Sequence, residues 1–369
     1  MITSFKVKNF RLFDELEINK LSQVNLIVGK NNAGKSALLE ALLLFFSKMS
    51  PTDLVDIIYA RQENHGARRS TYSRSQIVNP IRHFFKNHKL PNIFEDGFTL
   101  SSSDYSFEVK LVGYIREEIE DDRYVRRPMT KEEYNHKSIM PDLDEIFLVV
   151  DDGKQKTRVL SLDDELRDIT RRFYFKKSRD VVFQYVPTSG LSNTKASLLW
   201  DSISLTDLES EVFKGLQLIE PLTIGVAFDD SDEGRSREGR IPIVKISDVD
   251  EPIPLKSLGD GMTRMFHIIL SLVCAKDGVL IVDEFENGLH WSVQDGAWDI
   301  VFKLAKDLNV QVFTTTHSRD CINAFEQAWS LRPNDGAFMR VSKNNGCSSL
   351  REYELELLRD SIEMDVEMR

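Results

Sequence analysis

Three observations on the sequence predict an α/β fold with a mixed or parallel sheet and flanking helices. Residues 24–28 form a short, apolar, β-branched run, which is followed by a glycine-rich loop and a run of helix-forming residues. Residues 279–282 and 310–313 are two more apolar runs, and a helical pattern over residues 291–308 separates them. Strand, helix and strand in this order indicate parallel strands that are covered on both faces.

Length and composition exclude several classes of protein. The 369 residues correspond to about two to three domains, and 41% hydrophobic with 29% charged residues is typical of a globular protein. We find no apolar run of the roughly 18 residues that span a bilayer, and the strand-like N-terminus does not predict a signal peptide. Cys274, Cys321 and Cys347 are scattered, which favours a reducing cytoplasm. The net charge of −11 disfavours a protein that coats nucleic acid but leaves a local basic patch open.

The elements of the N-terminal part are predicted from alternation and helix breakers. Residues 1–28 predict a β-hairpin that leads into the first apolar strand, and the helix after the glycine-rich loop should end near Lys48. Residues 51–90 are locally basic and begin with a capped helix. Alternation over residues 98–112 predicts half-exposed strands, whereas the charged residues 114–145 are expected to form a loop or an exposed arm.

The remaining elements follow in the same way. Residues 147–150 and 181–187 predict strands, and residues 195–220 predict helices. Residues 227–240 are acidic and rich in glycine and serine, as expected of a hairpin tip. The acidic, helix-prone residues 346–369 are expected to form a C-terminal tail.

The glycine-rich loop matches the pattern G-x-x-x-x-G-K-[ST], and strand, loop and helix are the context that this pattern requires. The glycines allow successive backbone N–H groups to point inward, and the helix start adds a partial positive charge. The loop therefore predicts binding of ATP and Mg²⁺. Lys35 is expected to reach the β- and γ-phosphates, and Ser36 to ligate Mg²⁺. The candidate phosphate-binding residues are Gly29, Asn31, Asn32, Ala33, Gly34, Lys35 and Ser36.

Two carboxylates after the strand 279–282 predict a second part of the site. Asp283 is expected to hold Mg²⁺ together with Ser36, and Glu284 to deprotonate the attacking water. The next apolar strand ends in His317, which is expected to hydrogen-bond the γ-phosphate and sense its presence. Ligands bind at the carboxyl edge of parallel strands, which is where these side chains fall. Acids placed for solubility and a structural histidine are the alternatives.

A second anion nest precedes the helix that is predicted over Met265–Cys274. Ser257, Gly259 and Gly261 supply the two glycines and the serine of this nest. One nucleotide does not need two nests from one chain, whereas in a symmetric dimer each nest can cap the γ-phosphate bound by the other subunit. We therefore expect a homodimer, or a larger homo-oligomer, that encloses ATP between its subunits.

Together these motifs resemble the ABC-type ATPase heads of the SMC, RecF and OLD families. The loop 29–36 resembles Walker A, residues 257–261 the signature motif, and residues 279–284 Walker B. Residues 286–290 resemble the D-loop and His317 the switch histidine, in a form similar to the OLD branch. The resemblance implies a P-loop NTPase of ABC type, with an N-terminal antiparallel β lobe and a helical and β insertion.

The resemblance also implies a domain organisation. Residues 1–50 and 180–345 are expected to form one discontinuous ATPase domain, residues 51–179 an insertion, and residues 346–369 the tail. Arg11 lies in an Asn-Phe-Arg hairpin similar to one that contacts the adenine side of the nucleotide in SMC-like heads. The candidates for a Q-loop glutamine are Gln62, Gln76 and Gln184.

The expected function follows from the same resemblance. Typical OLD proteins carry a nuclease domain after the ATPase, for which the residues after 345 leave no room, so a separate effector is expected. The resemblance implies that this effector is a nuclease or a toxin in anti-phage defence. A RecF-like repair ATPase that binds DNA directly and an ATP-binding scaffold with very slow turnover are the alternatives. Basic residues over 68–89 and 171–177 are the candidates for DNA contact.

Overall fold

The computed structural model describes residues 1–64, 79–120, 123–135, 143–166, 168–169, 181–229, 239–344 and 346–367. The strands are β1 (Phe5–Phe10), β2 (Phe13–Ile18), β3 (Val24–Val28), β4 (Phe98–Ser102), β5 (Ser106–Glu120), β6 (Arg123–Pro128), β7 (Leu143–Asp151), β8 (Lys156–Ser161), β9 (Phe183–Val186), β10 (Thr223–Asp229), β11 (Ile241–Ile246), β12 (Ile253–Pro254), β13 (Val279–Val282), β14 (Gln311–Thr315), β15 (Gly336–Asn344) and β16 (Cys347–Tyr353). The helices are α1 (Lys35–Phe46), α2 (Pro51–Ala60), α3 (Lys131–Asn135), α4 (Asn193–Ile203), α5 (Asp207–Gln217), α6 (Asp260–Cys274), α7 (Trp291–Asp307), α8 (Arg319–Ser330) and α9 (Leu355–Glu363).

A six-stranded sheet positions the candidate site. Its order is β16-β15-β3-β14-β13-β9, in which β16 is antiparallel to β15 and all other pairs are parallel. The strand β3 before the glycine-rich loop therefore neighbours β14, which ends before His317. β14 in turn neighbours β13, which ends before Asp283. The three carboxyl ends lie at one edge of the sheet, as the sequence predicts.

Side chains of the central strands point alternately into two cores. Leu26 and Leu280 belong to the core formed with α4 to α9, and Ile27 and Ile281 to the core formed with α1, α2 and the second large sheet. Burial on both faces explains why β3 and β13 are almost entirely apolar. The predicted α/β class, with a sheet covered on both faces, is confirmed.

The second large sheet has the order β2-β1-β4-β5-β7-β8, with β6 paired to β5. β1 pairs antiparallel with both β2 and β4, so the N-terminal hairpin and the strands over residues 98–161 form one antiparallel lobe. This pairing crosses residue 50, where the sequence analysis places a domain boundary. The strands β10, β11 and β12 form a smaller antiparallel sheet.

Two segments contain strands that the sequence analysis does not predict. Within residues 114–145, the strand β5 continues to Glu120 and pairs with β6 in a hairpin, so this part is an arm and not a loop. Its charges hide the strand pattern because both faces are largely exposed. Part of the expected tail forms β16 and joins the central sheet, and α9 follows it. Among the described residues, no helix combines the length and the apolar character that crossing a membrane requires.

Candidate nucleotide-binding site

The phosphate loop connects β3 to α1 and depends on residues with positive φ. The angle φ is 150° at Gly29, 64° at Asn32 and 115° at Gly34, a region that favours glycine and tolerates asparagine. A Cβ atom at Gly29 would lie 2.2 Å from the carbonyl oxygen of Val341 on β15, so glycine is needed for this close approach. Gly34 is the N-cap of α1, and the unpaired N–H groups of the first helical turn border the loop.

Lys35 is held inside the loop by backbone oxygens. Its Nζ atom donates to the carbonyl of Gly29 at 2.7 Å and lies 3.4 Å from the carbonyl of Lys30. Burial lowers the pKa of Lys35, and the charges of Glu284 and Asp283 act in the opposite direction. No carboxylate of the described residues forms an ion pair with this amine. A bound phosphate would therefore supply the missing anion.

Oxygen ligands suited to Mg²⁺ meet where β13, β14 and α1 come together. The hydroxyl of Ser36 lies 3.4 Å from Oδ1 of Asp283, and the hydroxyl of Thr315 donates to the same oxygen at 2.7 Å. Mg²⁺ prefers hard oxygen ligands, and it usually takes one or two of them from the protein and the rest from phosphates and water. Ser36 and Asp283 therefore fit a Mg²⁺ ion that is bound with a nucleotide.

Glu284 has a strained backbone that is fixed on both sides. Its φ is 52°, a conformation that costs a non-glycine residue about 1–3 kcal/mol unless its surroundings enforce it. Its N–H donates to Oγ1 of Thr315 at 2.9 Å, and its carbonyl accepts from Arg264 at 2.8 Å. The carboxylate is 34% exposed and lies 3.7 Å from Nδ1 of His317. A reachable carboxylate beside a phosphate loop is suited to accept a proton from water.

Glu286 orients His317, a role that the sequence analysis does not assign. Its Oε1 atom lies 3.0 Å from Nδ1 of His317. The same oxygen accepts from the backbone N–H groups of His317 and Ser318 at 2.9 and 3.1 Å. Because Nδ1 faces this carboxylate, Nε2 is the nitrogen left to meet a ligand. The sequence offered one sign of this role, because Glu286 is the third acidic residue in the short stretch that begins at Asp283.

The signature-like turn leads into α6, which packs on the face of the central sheet opposite α1. Ser257 is exposed, and Gly259, with φ of 98°, caps α6. This helix begins at Asp260 and not at Met265, so Gly261 lies inside its first turn. α6 packs against β9 and β13. β9 lies three strand positions from β3, which is roughly 14 Å at about 4.8 Å per strand.

Arg11 is buried among carboxylates. It is 3% exposed, its Nε lies 2.6 Å from Glu40, and its Nη1 lies 2.7 Å from Glu63. Arg61 also pairs with Glu40, and the guanidinium of Arg11 lies 5.1 Å from the ring centre of Phe84. Burial raises the pKa of Glu40, and the two arginines oppose that shift. These contacts favour a role in holding α1, while the adenine contact stays a prediction.

Other candidates lie elsewhere. Gln184 is on β9, Gln62 follows α2, and Gln76 is outside the described residues, so the Q-loop stays unassigned. Residues 171–177 and the first half of the basic stretch over 68–89, up to residue 78, are also outside the described residues.

Most of the chain is similar to known proteins. A family model described as "AAA domain, putative AbiEii toxin, Type IV TA system" matches residues 24–320. The chain is 24% identical over 344 residues to an ATP/GTP phosphatase of Helicobacter pylori, which covers 89% of this chain and 88% of the relative. It is 39% identical over 54 residues to the DNA double-strand break repair Rad50 ATPase of Archaeoglobus fulgidus, covering 15% and 6% of the two chains.

A solved structure shows the same fold. The SmcHead bound to the C-winged helix domain of ScpA is 14% identical, with a TM-score of 0.50 and coverage of 97% of this chain and 99% of that chain. The predicted fold class is confirmed, because the central sheet and its flanking helices form a P-loop ABC-type ATPase fold. The narrower resemblance to the OLD branch stays a prediction.

Proposed function

Because the chain belongs to the family described as "AAA domain, putative AbiEii toxin, Type IV TA system", we propose that it binds and hydrolyses ATP with Mg²⁺. The observation that carries this proposal is that five side chains suited to phosphate chemistry meet at the carboxyl ends of three neighbouring parallel strands. They are Lys35, Ser36, Asp283, Glu284 and His317. Similarity to an ATP/GTP phosphatase over most of the chain supports the same activity.

Each residue has one role in the proposed reaction. Lys35 and the loop N–H groups bind the β- and γ-phosphates. Ser36 and Asp283 would hold Mg²⁺, which neutralises phosphate charge when it is bound. Glu284 accepts the proton of the attacking water. His317 presents Nε2 to the γ-phosphate because Nδ1 is held by a carboxylate.

Two substitutions separate turnover from binding. We expect Glu284→Gln to reduce turnover by about 10²–10⁴-fold, the usual contribution of a general base, and to keep ATP affinity. We expect Lys35→Ala to lose ATP affinity because the phosphates lose their counter-charge. Phosphate release and binding of a fluorescent ATP analogue measure the two quantities.

Lys30→Ala is the matched control, since this lysine is 69% exposed in the same loop, and it should retain both turnover and affinity. Unchanged turnover in the Glu284 variant would contradict its role as base. Full affinity in the Lys35 variant would contradict the phosphate loop.

We also propose that ATP closes a homodimer or a larger homo-oligomer. The exposed turn at Ser257 is the proposed anion nest, and the helix α6 that follows it packs on the face of the central sheet opposite α1. A second copy, related by two-fold symmetry, can bring this nest to the γ-phosphate.

A separate effector in anti-phage defence, a nuclease or a toxin, is the proposed target of the ATPase. The OLD-like motifs support this, as does a family description that names a toxin and a toxin–antitoxin system. Plating of phage on cells that express the chain with its neighbouring genes tests it. Protection should depend on Glu284, so equal plating with the wild type and Glu284→Gln would contradict the proposal.

A DNA repair ATPase is the second candidate, and the local similarity to the Rad50 ATPase favours it. It predicts ATP-dependent DNA binding by the isolated chain, which fluorescence anisotropy at several salt concentrations measures. A scaffold with very slow turnover is the third candidate, and it predicts tight ATP retention with little phosphate release.

A further inference from the structure

We propose that Arg264 is a positioning residue that holds the general base Glu284 in place from the helix α6. This inference rests on the proposed ATPase function and adds a determinant of turnover that lies outside the motifs of the sequence. Arg264 does not reach the reacting groups with its own side chain in this proposal, because it acts through the backbone of the residue that does.

One guanidinium connects the ends of two strands. Nη2 of Arg264 donates to the carbonyls of Asp283 and Glu284 at 2.7 and 2.8 Å, and Nη1 donates to the carbonyl of Pro187 at 2.7 Å. Nη1 also lies 3.5 Å from the carbonyl of Thr188. The residue is 4% exposed. The turn after β13 and the turn after β9 are thus fixed to the same side chain.

The chemistry requires an arginine. Burying a cation is costly unless it is paired or hydrogen-bonded, and no carboxylate of the described residues forms an ion pair with Arg264, whose buried Nε has no partner among them. Backbone carbonyls take that place, and hydrogen bonds from a charged donor are stronger than those between neutral groups. A planar guanidinium directs donors to both turns at once, whereas a lysine offers three donors on a single nitrogen.

The contact matters because the backbone of Glu284 is strained. With φ of 52°, this residue stays in place only while its neighbours enforce the conformation. Thr315 binds its N–H and Arg264 binds its carbonyl. Loss of the second contact frees the peptide that follows Glu284, and the carboxylate then leaves the position from which it meets the attacking water.

The same helix anchors the turn after β9 a second time. Nδ1 of His267, three residues after Arg264, accepts from the N–H of Leu191 at 3.2 Å. Asn287 donates to the carbonyl of Thr188 at 2.7 Å. The turn after β9 is therefore fixed by several hydrogen bonds. Because Arg264 binds this turn, the position of its guanidinium beside Glu284 is fixed as well.

Arg264→Lys tests the inference. We expect turnover to fall by about 10²-fold, the scale of a 1 Å misplacement of a reacting group, with ATP affinity and KM unchanged because the phosphate loop is not touched. Arg264→Lys combined with Glu284→Gln should be no slower than Glu284→Gln alone, since both changes act on one function. Hydrogen exchange should rise in peptides over 283–290 and stay unchanged over 29–36. Arg332→Lys is the matched control because Arg332 binds Asp299 and a helix carbonyl away from the site.

The outcomes separate the inference from the proposed function. Three outcomes would overturn the inference and leave the proposed ATPase function intact. They are wild-type turnover in Arg264→Lys, a double variant whose loss of turnover is the product of the two single losses, and an ATP affinity that falls as much as turnover does. If the wild type hydrolyses ATP no faster than Glu284→Gln does, the proposed function itself would be overturned. If Arg264→Lys does not fold, Thr315→Val removes the hydroxyl that binds both the N–H of Glu284 and Oδ1 of Asp283. Turnover should fall at saturating Mg²⁺ as well, with Thr315→Ser restoring it. Full turnover in Thr315→Val would then count against the inference.

Discussion

At the scale of single residues, His267 gives the stability of the fold a dependence on pH. Its imidazole is 5% exposed and accepts a hydrogen bond at Nδ1. Burial, helped by the charge of Arg264, lowers its pKa to about 4 from a usual value of 6.5. Between these pH values the unfolded chain binds more protons than the folded chain. The contribution of neutral His267 is therefore complete above pH 6.5 and is lost as the pH falls towards 4.

His267→Gln should remove this dependence, because glutamine offers an oxygen acceptor that does not titrate in this range. We expect the free energy of unfolding of the wild type to fall more steeply than that of the variant between pH 6.5 and 4, by up to about 1.4 kcal/mol per pH unit. Urea unfolding at several pH values measures the difference. His88→Gln, at an exposed histidine, is the control. Parallel pH profiles for the wild type and His267→Gln would contradict the assignment.

The phosphate loop could be predicted from sequence because its conformation is set within eight consecutive residues. The roles of three other residues of the site could not be predicted from the sequence, because they depend on contacts between residues that are far apart along the chain. Arg264 binds a carbonyl 77 positions away, and Glu286 and Thr315 bind partners 31 and 32 positions away. Each is an ordinary charged or hydroxyl residue within its own element, so the local pattern carries no sign of these partners.

At the scale of elements, the helix α1 is held by a cluster of charges that the sequence did not reveal. Glu40 lies one turn after Ser36 on this helix, and it is bound by Arg11 from the turn between β1 and β2 and by Arg61 from the end of α2. The cluster joins the phosphate-binding helix to the β lobe. Removal of one partner from a buried ion pair leaves an uncompensated charge, which is strongly destabilising.

Arg11→Gln should therefore lower the free energy of unfolding by about 3–5 kcal/mol and leave the ATP affinity of the folded protein unchanged. Urea unfolding and nucleotide binding measure the two quantities. Lys6→Gln is the control on β1, because its ion pairs are exposed and of little weight. A variant of normal stability with weakened ATP binding would instead support the adenine contact that the hairpin resemblance implies.

Strands could be predicted from the sequence where one or both of their faces are buried. Strands that project from the core or lie at the edge of a sheet could not be predicted in this way. The runs at β3 and β13 are almost entirely apolar because both faces are covered, and β14 is also fully buried, with Val312 and Phe313 as its apolar residues. The β5–β6 arm carries charges on both faces, so its alternation is lost. β16 lies at the edge of the central sheet with alternating exposure, and its acidic surroundings made it resemble a tail.

At the scale of the whole molecule, the fluorescence of one exposed tryptophan can report on the formation of the proposed dimer. The chain has four tryptophans. Trp291 is 65% exposed, whereas Trp200, Trp298 and Trp329 are 5%, 0% and 4% exposed. Trp291 begins α7 directly after the turn over 286–290. A Cβ atom at Gly288 in this turn would lie 3.4 Å from Cβ of Asp260, next to the signature-like nest.

We therefore expect ATP to protect Trp291 from acrylamide in Glu284→Gln, which retains the nucleotide and with it the closed dimer. The quenching constant should fall as the sedimentation coefficient rises, because the surface beside the nest meets the second copy. Ser257→Arg should abolish both changes and keep ATP binding by the monomer, since a bulky cation fills the nest without touching the phosphate loop. Ser103→Arg, exposed on the β lobe, should change neither. A dimer in which Trp291 stays accessible would place the interface elsewhere, and an ATP-loaded chain that remains monomeric would exclude the shared site.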